Sequence, residues 1–486
     1  MTNPTAPTPP KVAIIGGGPA GLGTAIALGQ AGLAYTLYEA KPAISEIGNG
    51  ISVQRNTWRM LEALGASRNL TRDKLFRAPS GHDLEHRNGH TGALVATNDA
   101  DPLAPPHQQH ARVHRAHLQQ ALLRQVDASR IRTAHKLVSV STLPSGRLRL
   151  AFANGFEDEV DLLVGADGIR SVRRPSPPPL TPPQVVRAHA FPDHKIAYAG
   201  ATSYRTLVPA TSAALVNGLP DASTFWHGTD RKWVYSCPLG PHLEITTSIK
   251  EADDGQRGSW GRRSSVAAFR AAFAEMCQPV QELLRLATFV EQYDYFAGPR
   301  LESVVQPGIA LVGDASHPLS GAFGAGAGFA LEDAWTLGQS VRWASAKGLP
   351  LDTALALFDA VRSPHYADLY AVLDGYRAAD ADVAAARLPP AGEIKAVVER
   401  NWSDRTRWML VYEVDAVFAR EIARHEAEVR KGAGEGGTVS QRNGNGHGLT
   451  GAAVVESERQ LNGDDLDSRT RPGHDLPDAL HAVRVA

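Results

Sequence analysis

The sequence predicts an α/β protein: a doubly wound, mostly parallel domain, interrupted by a mostly antiparallel β-sheet domain and followed by C-terminal helices. Three observations predict this architecture. Residues 11–40 have the pattern of an apolar strand, a glycine turn, a helix and a second strand that ends on an acid. Two later apolar runs, residues 160–164 and 309–312, are typical of strands buried on both faces of a parallel sheet. Between these runs lie several β-rich segments, which indicates that a second domain is inserted into the first.

The glycine turn follows the first strand as Gly16-Gly-Gly18-Pro-Ala-Gly21. Gly16 permits the tight turn, Gly18 lets the backbone approach a pyrophosphate, and Gly21 lets the helix pack closely on the strand. The unpaired N–H groups at the helix start favour a bound phosphate. Glu39 comes 18 residues after Gly21, near the ~20 expected of an acid that bonds a ribose hydroxyl. This Rossmann-type unit predicts a dinucleotide site, and its acid favours FAD or NAD over NADP.

The composition of the chain restricts its partners. A formal net charge of −1 over 486 residues creates no global field that would attract nucleic acid or an acidic membrane. Cys237 and Cys277 form no CxxC pair, so we expect neither a disulfide framework nor a metal site. The start of the chain lacks a signal-peptide pattern, and no apolar run approaches the ~18 residues that span a bilayer. We therefore expect a cytoplasmic protein with no membrane span.

Composition also sets the predicted segment boundaries, the clearest of which is the proline-rich stretch 175–183. The N-terminus and the glycine-rich C-terminal tail have few apolar residues and are predicted to be disordered. The predicted segments are a disordered N-terminus (1–10), the first part of the nucleotide-binding domain (11–175), the β-sheet domain (176–298), the second part of the nucleotide-binding domain (299–390), a C-terminal helical segment (391–430) and a disordered tail (431–486).

Three later stretches have patterns that are typical of ligand sites. Arg115 lies in the first turn of a predicted helix, where a cation opposes the helix dipole. A surface arginine and an arginine aimed at a bound anion fit equally well. Asp167 ends the second buried strand, where doubly wound folds bind ligands, although a plain turn fits as well. Asp314 ends the third, and the glycine-rich stretch 324–328 before the next helix is predicted to approach an anionic ligand.

Taken in order, these elements resemble the class A flavoprotein monooxygenases of the para-hydroxybenzoate hydroxylase fold, over residues 11–425. The motifs that carry the resemblance are GGGPAG with Glu39, HRAHL with Arg115, GADG at 165–168 and GDASHP at 313–318. Within that family, the stretches most similar to the salicylate-hydroxylase-like branch are EIGNGI, GAGAGFALEDA and Arg362-Ser-Pro.

The resemblance implies FAD as the cofactor and assigns residues to each part of it. Gly16, Gly18 and Gly21 would hold the pyrophosphate, and Glu39 would bond the adenosine ribose. Arg115 would approach the flavin or its phosphates. The remaining residues that the resemblance implies for FAD are Asp167 at the pyrophosphate and the transient nicotinamide site, Asp314 at the ribityl or phosphate part, and Gly324, Gly326, Ala327 and Gly328 at the pyrimidine side of the isoalloxazine.

The reaction implied by the resemblance is hydroxylation of a phenolic or aromatic-acid metabolite with NAD(P)H and O2, through a flavin C4a-hydroperoxide. Decarboxylation or dearomatisation can accompany such a hydroxylation. With a single dinucleotide fingerprint, NADPH or NADH is expected to visit the flavin rather than to occupy its own domain. Two alternatives stay open: an epoxidase of a terpenoid-type alkene, and a flavin- or NAD-binding sensor without oxygenase activity. Gly321 stands where the family usually has proline, and this difference leaves the sensor alternative open.

Two residues of the β-sheet domain are candidates for substrate binding and catalysis. Arg205 could pair with a phenolate or carboxylate, and Tyr235 could hydrogen-bond the reacting oxygen. For both, a packing or rim position is the alternative. We expect His227 to be a loop histidine and His317 to be a structural part of the flavin motif.

Overall fold

A computed structural model describes most of the chain. The described residues are 9–46, 48–169, 185–255, 257–258, 260–319, 324, 326–401, 408–435 and 483–485. The chain forms two compact units, Met1–Glu421 with Val483–Ala486, and Ile422–Ala482. Gly321, the proline-rich stretch and most of the predicted C-terminal tail lie outside the described residues.

Strands and helices alternate in the first part of the chain, and helices dominate its end. The strands are β1 Val12–Ile15, β2 Tyr35–Tyr38, β3 Gly50–Val53, β4 Leu75–Phe76, β5 His82–Asn88, β6 Leu94–Asp99, β7 Ala111–His114, β8 Ile131–Arg132, β9 Leu137–Thr142, β10 Leu148–Phe152, β11 Glu157–Val160, β12 Leu162–Gly165, β13 Ala197–Pro209, β14 Thr224–His227, β15 Trp233–Leu239, β16 His242–Lys250, β17 Trp260–Arg263, β18 Glu291–Ala297, β19 Val305–Gln306, β20 Ile309–Leu311 and β21 Val483–Val485. The α-helices are α1 Pro19–Gln30, α2 Arg55–Ala63, α3 Arg115–Leu123, α4 Val185–Ala190, α5 Ala210–Ala213, α6 Val266–Ala271, α7 Gln278–Arg285, α8 Gly326–Ala346, α9 Leu351–Ala386, α10 Pro390–Asn401 and α11 Val414–Glu435.

A six-stranded sheet forms the doubly wound part of the protein. Its strand order is β19-β20-β12-β1-β2-β8, and the five strands from β20 to β8 are parallel. Every residue of β1 and β12 is buried, as the apolar runs predict for a parallel sheet covered on both faces. The predicted α/β architecture is therefore confirmed. Because β1, β12 and β20 are neighbours, the turns that follow them lie side by side at one edge of the sheet.

The second sheet has nine strands in the order β17-β18-β13-β16-β15-β14-β5-β6-β21, and only the β5–β14 pair is parallel. One of its faces packs against α6 and α7 in an apolar core that contains Trp226, Val234 and Ile245. The mostly antiparallel domain is as predicted. Its assigned boundary differs, because β5 and β6 join this sheet from within residues 11–175. The β5–β14 contact joins distant parts of the chain, so no local pattern reports it.

The C-terminal helices begin with α8, which packs against α1 and α9. The helix α11 continues to Glu435, and Val483–Val485 pair with β6. These parts of the predicted disordered tail adopt regular structure. Within the described residues, no helix has both the length and the apolar composition that crossing a bilayer requires. In the same part of the chain, no group of three or more His, Cys, Asp or Glu side chains is arranged to hold a metal ion.

Candidate cofactor and substrate site

The glycine turn after β1 is held in close contact with β12. Gly16 has a φ of +112°, and a Cβ atom there would lie 2.4 Å from the carbonyl oxygen of Ala166. A Cβ atom at Gly21 would lie 1.9 Å from the carbonyl oxygen of Gly16. Real Cβ atoms do not approach oxygen so closely, so both positions require glycine for the turn itself to form.

Gly18 has the opposite surroundings. It precedes α1 with a φ of −77°, which suits any residue, and no side chain caps the helix start. A Cβ atom at Gly18 would meet no protein atom within 4 Å. The space in front of the first N–H groups of α1 is therefore open, and uncapped N–H groups at a helix start fit a pyrophosphate.

Glu39 lies at the carboxyl end of β2, beside the glycine turn. Its Oε2 atom accepts a hydrogen bond from the Gly17 N–H at 2.8 Å, and its Oε1 atom accepts one from the Lys41 N–H at 2.8 Å. These bonds fix the carboxylate next to the α1 start. Each carboxylate oxygen can accept a further hydrogen bond, so the group fits a ribose hydroxyl.

Arg115 begins α3 and lines a small cleft against the start of α1. Its Nε atom lies 3.0 Å from Glu46 Oε1, so the arginine is already ion-paired. The cleft is shallow and partly open, and it is lined by Pro19, Glu46, Ile51, Arg115, Leu118 and Gln119. The structure thus places Arg115 on the wall of the predicted cofactor site, and Glu46 is a partner that sequence patterns did not indicate.

Asp167 and Asp314 follow the neighbouring strands β12 and β20. The buried Oδ1 atom of Asp167 has no hydrogen-bond partner among the described residues, and burial raises the pKa of this carboxyl group to about 6. Arg187, which no sequence pattern marked, lies beside both aspartates. Its Nη1 atom donates to the Ala315 carbonyl oxygen at 3.1 Å, and its buried Nη2 atom lacks a partner in the described part of the chain. An unpaired acceptor and an unpaired donor fit the hydroxyl groups and phosphate oxygens of FAD.

The glycine-rich stretch meets Asp314 at the start of α8. The first residues of this helix are Gly326, Ala327 and Gly328. The Asp314 Oδ1 atom lies 3.8 Å from the position of a Cβ atom at Gly326. Gly324 has a φ of +62°, and its Cβ position would lie 3.7 Å from Ser52 Oγ. A helix start, an exposed carboxylate and the β3 strand therefore converge where the flavin end of the cofactor is expected.

The register of the nine-stranded sheet brings the two predicted catalytic residues to one face. Arg205 on β13 and Tyr235 on β15 both pair directly with Thr246 on β16. Residues directly opposite each other in antiparallel strands project from the same face. Asn49 donates a hydrogen bond to Thr246 Oγ1 at 3.3 Å, so this face is turned towards the loop before β3. We call the face that carries Arg205, Thr246 and Tyr235 the polar sheet face.

Arg205 and Tyr235 differ in their surroundings. The Arg205 guanidinium lies 4.6 Å from the centre of the Tyr293 ring and makes no ion pair within the described chain. Tyr235 is 5% exposed, and burial raises its pKa well above 10, so its phenol stays neutral. The rings of Phe225 and Tyr235 lie 4.8 Å apart. The polar sheet face thus offers a cation without a carboxylate partner next to a neutral, aromatic-lined position.

A buried ion pair between Arg112 and Glu244 was not anticipated from the sequence. Glu244 is fully buried, and the side chain of Arg112 is 12% exposed. Glu244 Oε2 also accepts the Gly50 N–H at 2.6 Å. The Arg112 guanidinium lies 5.1 Å from the centre of the Tyr235 ring, and its Nη1 atom donates to Ser52 Oγ at 3.0 Å. The pair therefore joins the polar sheet face to β3, although its two members lie in segments with no shared sequence motif.

Replacing Glu244 with alanine is expected to destabilise the protein by about 3–5 kcal/mol, since it leaves a buried guanidinium without its counter-charge. Urea unfolding measures the change. The matched control is Glu159→Ala, which removes exposed ion pairs with Arg147 and Arg149 and should cost at most about 1 kcal/mol. Equal losses in the two variants would show that the Arg112–Glu244 pair contributes no more than a surface contact.

The two histidines weighed from the sequence have structural partners. His317 is buried, and its Nε2 atom lies 3.0 Å from Asp333 Oδ2, in agreement with a structural role. His227 differs from the expected loop histidine. It ends β14 and is 4% exposed. Its Nε2 atom lies 3.0 Å from the Nδ1 atom of His86. Parallel pairing of β14 with β5 brings the two rings together.

Comparisons with known proteins agree with this geometry. A family model described as an FAD binding domain matches residues 10–247, which confirms the prediction of FAD as the cofactor. A 3-amino-4-hydroxybenzoate 2-monooxygenase of Streptomyces platensis is 29% identical over 74% of this chain and 86% of its own length. A 6-hydroxynicotinate 3-monooxygenase of Bordetella bronchiseptica is 28% identical over 67% of this chain and 81% of its own length. The structure of a salicylate hydroxylase substrate complex shares the fold, with a TM-score of 0.65 and 21% identity over 85% of this chain and 98% of that one.

Proposed function

Because the chain matches an FAD binding domain and is similar to FAD-dependent aromatic monooxygenases, we propose that it belongs to the salicylate-hydroxylase-like branch of these enzymes and that its substrate is an aromatic ring that carries a hydroxyl or carboxylate group. The observation that carries the proposal is the register of the nine-stranded sheet. It sets Arg205 and Tyr235 on either side of Thr246, on the face turned towards the β3 loop. We place the substrate on this polar sheet face.

The proposed cofactor site uses residues that are distant in sequence and adjacent in space. Gly18 and the α1 start would hold the pyrophosphate, and Glu39 the adenosine ribose. Asp167 and Asp314 would bond the part of FAD between the phosphates and the ring, and the α8 start would face the ring. When bound, FAD supplies the redox chemistry by which electrons from NADH or NADPH activate O2.

The chain's own groups would orient the substrate. The Arg205 guanidinium can pair with a phenolate or carboxylate, because it has no carboxylate partner within the described chain. The Tyr235 phenol stays neutral across the pH range of an assay, since burial raises its pKa well above 10, and a neutral phenol can donate a hydrogen bond to a substrate oxygen. The Phe225 ring next to it limits water at that position.

The compounds after which the relatives are named support this substrate class. One relative acts on 3-amino-4-hydroxybenzoate and another on 6-hydroxynicotinate, both of which are aromatic acids with a ring hydroxyl group. We propose that this chain takes a compound of the same kind. NADH or NADPH would act as a visiting co-substrate, because the sequence has only one dinucleotide fingerprint.

The test is NADH and NADPH oxidation by the purified FAD-bound protein across a panel of hydroxybenzoates, aminohydroxybenzoates and hydroxypyridine carboxylates. One compound should accelerate oxidation sharply and yield a product that is heavier by one oxygen atom. A neutral analogue in which a methyl ester replaces the carboxylate is the matched control and should be a poorer substrate. A protein that binds FAD and responds to no member of the panel would overturn the proposed substrate class.

A further inference from the structure

A buried charged network lies between α8 and α9. Its central cation is Arg362, which is fully buried. The Arg362 Nη2 atom lies 2.9 Å from Glu332 Oε2, and its Nε atom donates to Asp333 Oδ1 at 2.7 Å. Glu332 and Asp333 are also fully buried. Two carboxyl groups therefore share one guanidinium in a region without solvent.

Each carboxyl group of this network contacts an element of the cofactor site. Glu332 Oε1 accepts a hydrogen bond from Asn56 Nδ2 at 2.7 Å. The next residue, Thr57, packs against the α8 start so closely that a Cβ atom at Gly328 would lie 2.3 Å from Thr57 Oγ1. Asp333 Oδ2 accepts the Gly313 N–H at 2.8 Å, which fixes the turn that carries Asp314.

Of the two carboxyl groups in the network, only Glu332 changes its protonation state near neutral pH. Burial raises the pKa of Asp333, but Arg362 and His317 outweigh it, so the pKa falls to about 2 and this carboxylate stays ionised. Burial raises the pKa of Glu332 to about 7 in spite of Arg362. The groups that face Glu332 are Asn56 from α2, Asp333 from its own helix, Arg362 and His365 from α9, and Tyr412 from the segment before α11. The pKa of His365 is lowered well below 6.5 by burial, so His365 adds no charge near neutral pH.

We propose that Glu332 is a positioning residue for FAD: through Asn56 and Thr57 it fixes the first turn of α8, and its charge sets the electrostatic potential that this turn presents to the flavin. This role goes beyond the proposed hydroxylation and depends only on the binding of FAD. The neutral form of Glu332 leaves the positive end of the α8 dipole intact. The ionised form places a negative charge six residues from Gly326, about 9 Å along the helix axis.

The size of the effect follows from Coulomb's law. At an effective dielectric constant of about 20, a unit charge about 9 Å away changes the stability of a second charge by on the order of tenfold. A reduced flavin that carries negative charge at the α8 start should therefore bind about tenfold less well, relative to oxidised flavin, once Glu332 is ionised. A tenfold change in the affinity for reduced flavin relative to oxidised flavin shifts the reduction potential of this two-electron couple by about 30 mV.

The experiment compares the reduction potential of bound FAD in the wild-type protein and in Glu332→Gln at pH 6 and at pH 8.5. Glutamine keeps the shape of the side chain and leaves Arg362 paired with Asp333, so the variant is expected to fold. The two potentials should coincide at pH 6, where Glu332 is neutral. At pH 8.5 the potential of the variant should be higher by about 30 mV. The matched control, Asp368→Asn, removes an exposed carboxylate from α9 and should follow the wild type at both pH values.

A second variant separates position from charge. Asn56→Ala keeps the Glu332 carboxyl group and removes the amide that links it to α2. It should weaken FAD binding and keep a pH-dependent potential, with the change displaced to higher pH because the Asn56 hydrogen bond lowers the pKa of Glu332. Two results would overturn the proposal. The first is a reduction potential in Glu332→Gln that shows the same difference from the wild type, or no difference, at both pH values. The second is an Asn56→Ala protein with unchanged affinity for FAD. Neither readout involves an aromatic substrate, so failure here is distinguishable from failure of the proposed function.

Discussion

Replacing Gly18 with alanine is expected to give a stable protein that binds FAD weakly. The added methyl group meets no protein atom within 4 Å, and the φ of −77° suits alanine. The free energy of unfolding of the apoprotein should therefore stay within about 0.5 kcal/mol of the wild type. The methyl group would instead occupy space that we assign to the pyrophosphate. Overpacking costs about 1–3 kcal/mol, which predicts a roughly 5- to 150-fold rise in the Kd for FAD.

Two further glycines of the same segment make this prediction specific. Gly29→Ala, at the far end of α1, adds a methyl group at an ordinary distance of 3.6 Å from Tyr35 and should leave FAD affinity unchanged. Gly21→Ala should lower the stability of the apoprotein, because its Cβ atom would lie 1.9 Å from the Gly16 oxygen. FAD titration and urea unfolding measure the two quantities separately. A wild-type Kd in Gly18→Ala would show that the pyrophosphate does not lie on this turn.

Replacing Arg205 with alanine is expected to lower kcat/KM for the aromatic substrate while FAD stays bound. The guanidinium rests on the Tyr293 ring and has no ion-pair partner within the described chain, so its charge is available to a substrate anion. A hydrogen bond to a charged group contributes about 1.5–3 kcal/mol, which predicts a roughly 10- to 150-fold loss. Steady-state kinetics measure the loss, and the flavin absorption spectrum reports FAD content.

The control for Arg205 is Arg263→Ala, on the edge strand β17, where the guanidinium lies 5.7 Å from the Phe289 ring and the residue is exposed. This variant should keep wild-type kinetics. Arg205→Lys should recover part of the loss for a substrate anion, because it restores the charge without the planar fork. If Arg205→Ala turns over every substrate at the wild-type rate, the substrate does not bind on the polar sheet face near β13.

The sequence nominates residues for the cofactor end of the site one by one. A pyrophosphate needs a glycine turn and a free helix start, and these features lie within a few consecutive residues, such as Gly16 to Gly21. The structure adds distinctions that the motif does not contain. Gly16 and Gly21 are needed for the turn to form, whereas Gly18 faces open space. The motif can be recognised from consecutive residues, but the contacts of each glycine, such as that of Gly16 with the residue after β12, appear only in the folded chain.

The buried partners of the site could not be predicted, because each contact joins segments that are far apart in the chain. Arg187 beside Asp167, Glu244 beside Arg112 and Glu332 beside Asn56 belong to no local pattern. A buried charge is tolerated only where packing supplies its counter-charge or hydrogen bonds, and packing is a property of the folded chain. The same reason explains why β5 and β6 joined the second sheet from outside its predicted bounds.

The sequence by itself determined the α/β class, the dinucleotide turn, the acids that end three strands and the glycine-rich start of α8, since each depends on residues close together in the chain. It also nominated Arg205 and Tyr235, but without placing them in relation to each other. Only the tertiary structure decided that both residues flank Thr246 on one face of a sheet and that this face is turned towards β3. Strand register sets which side chains share a face, and register is fixed by pairing across the sheet rather than by any single strand.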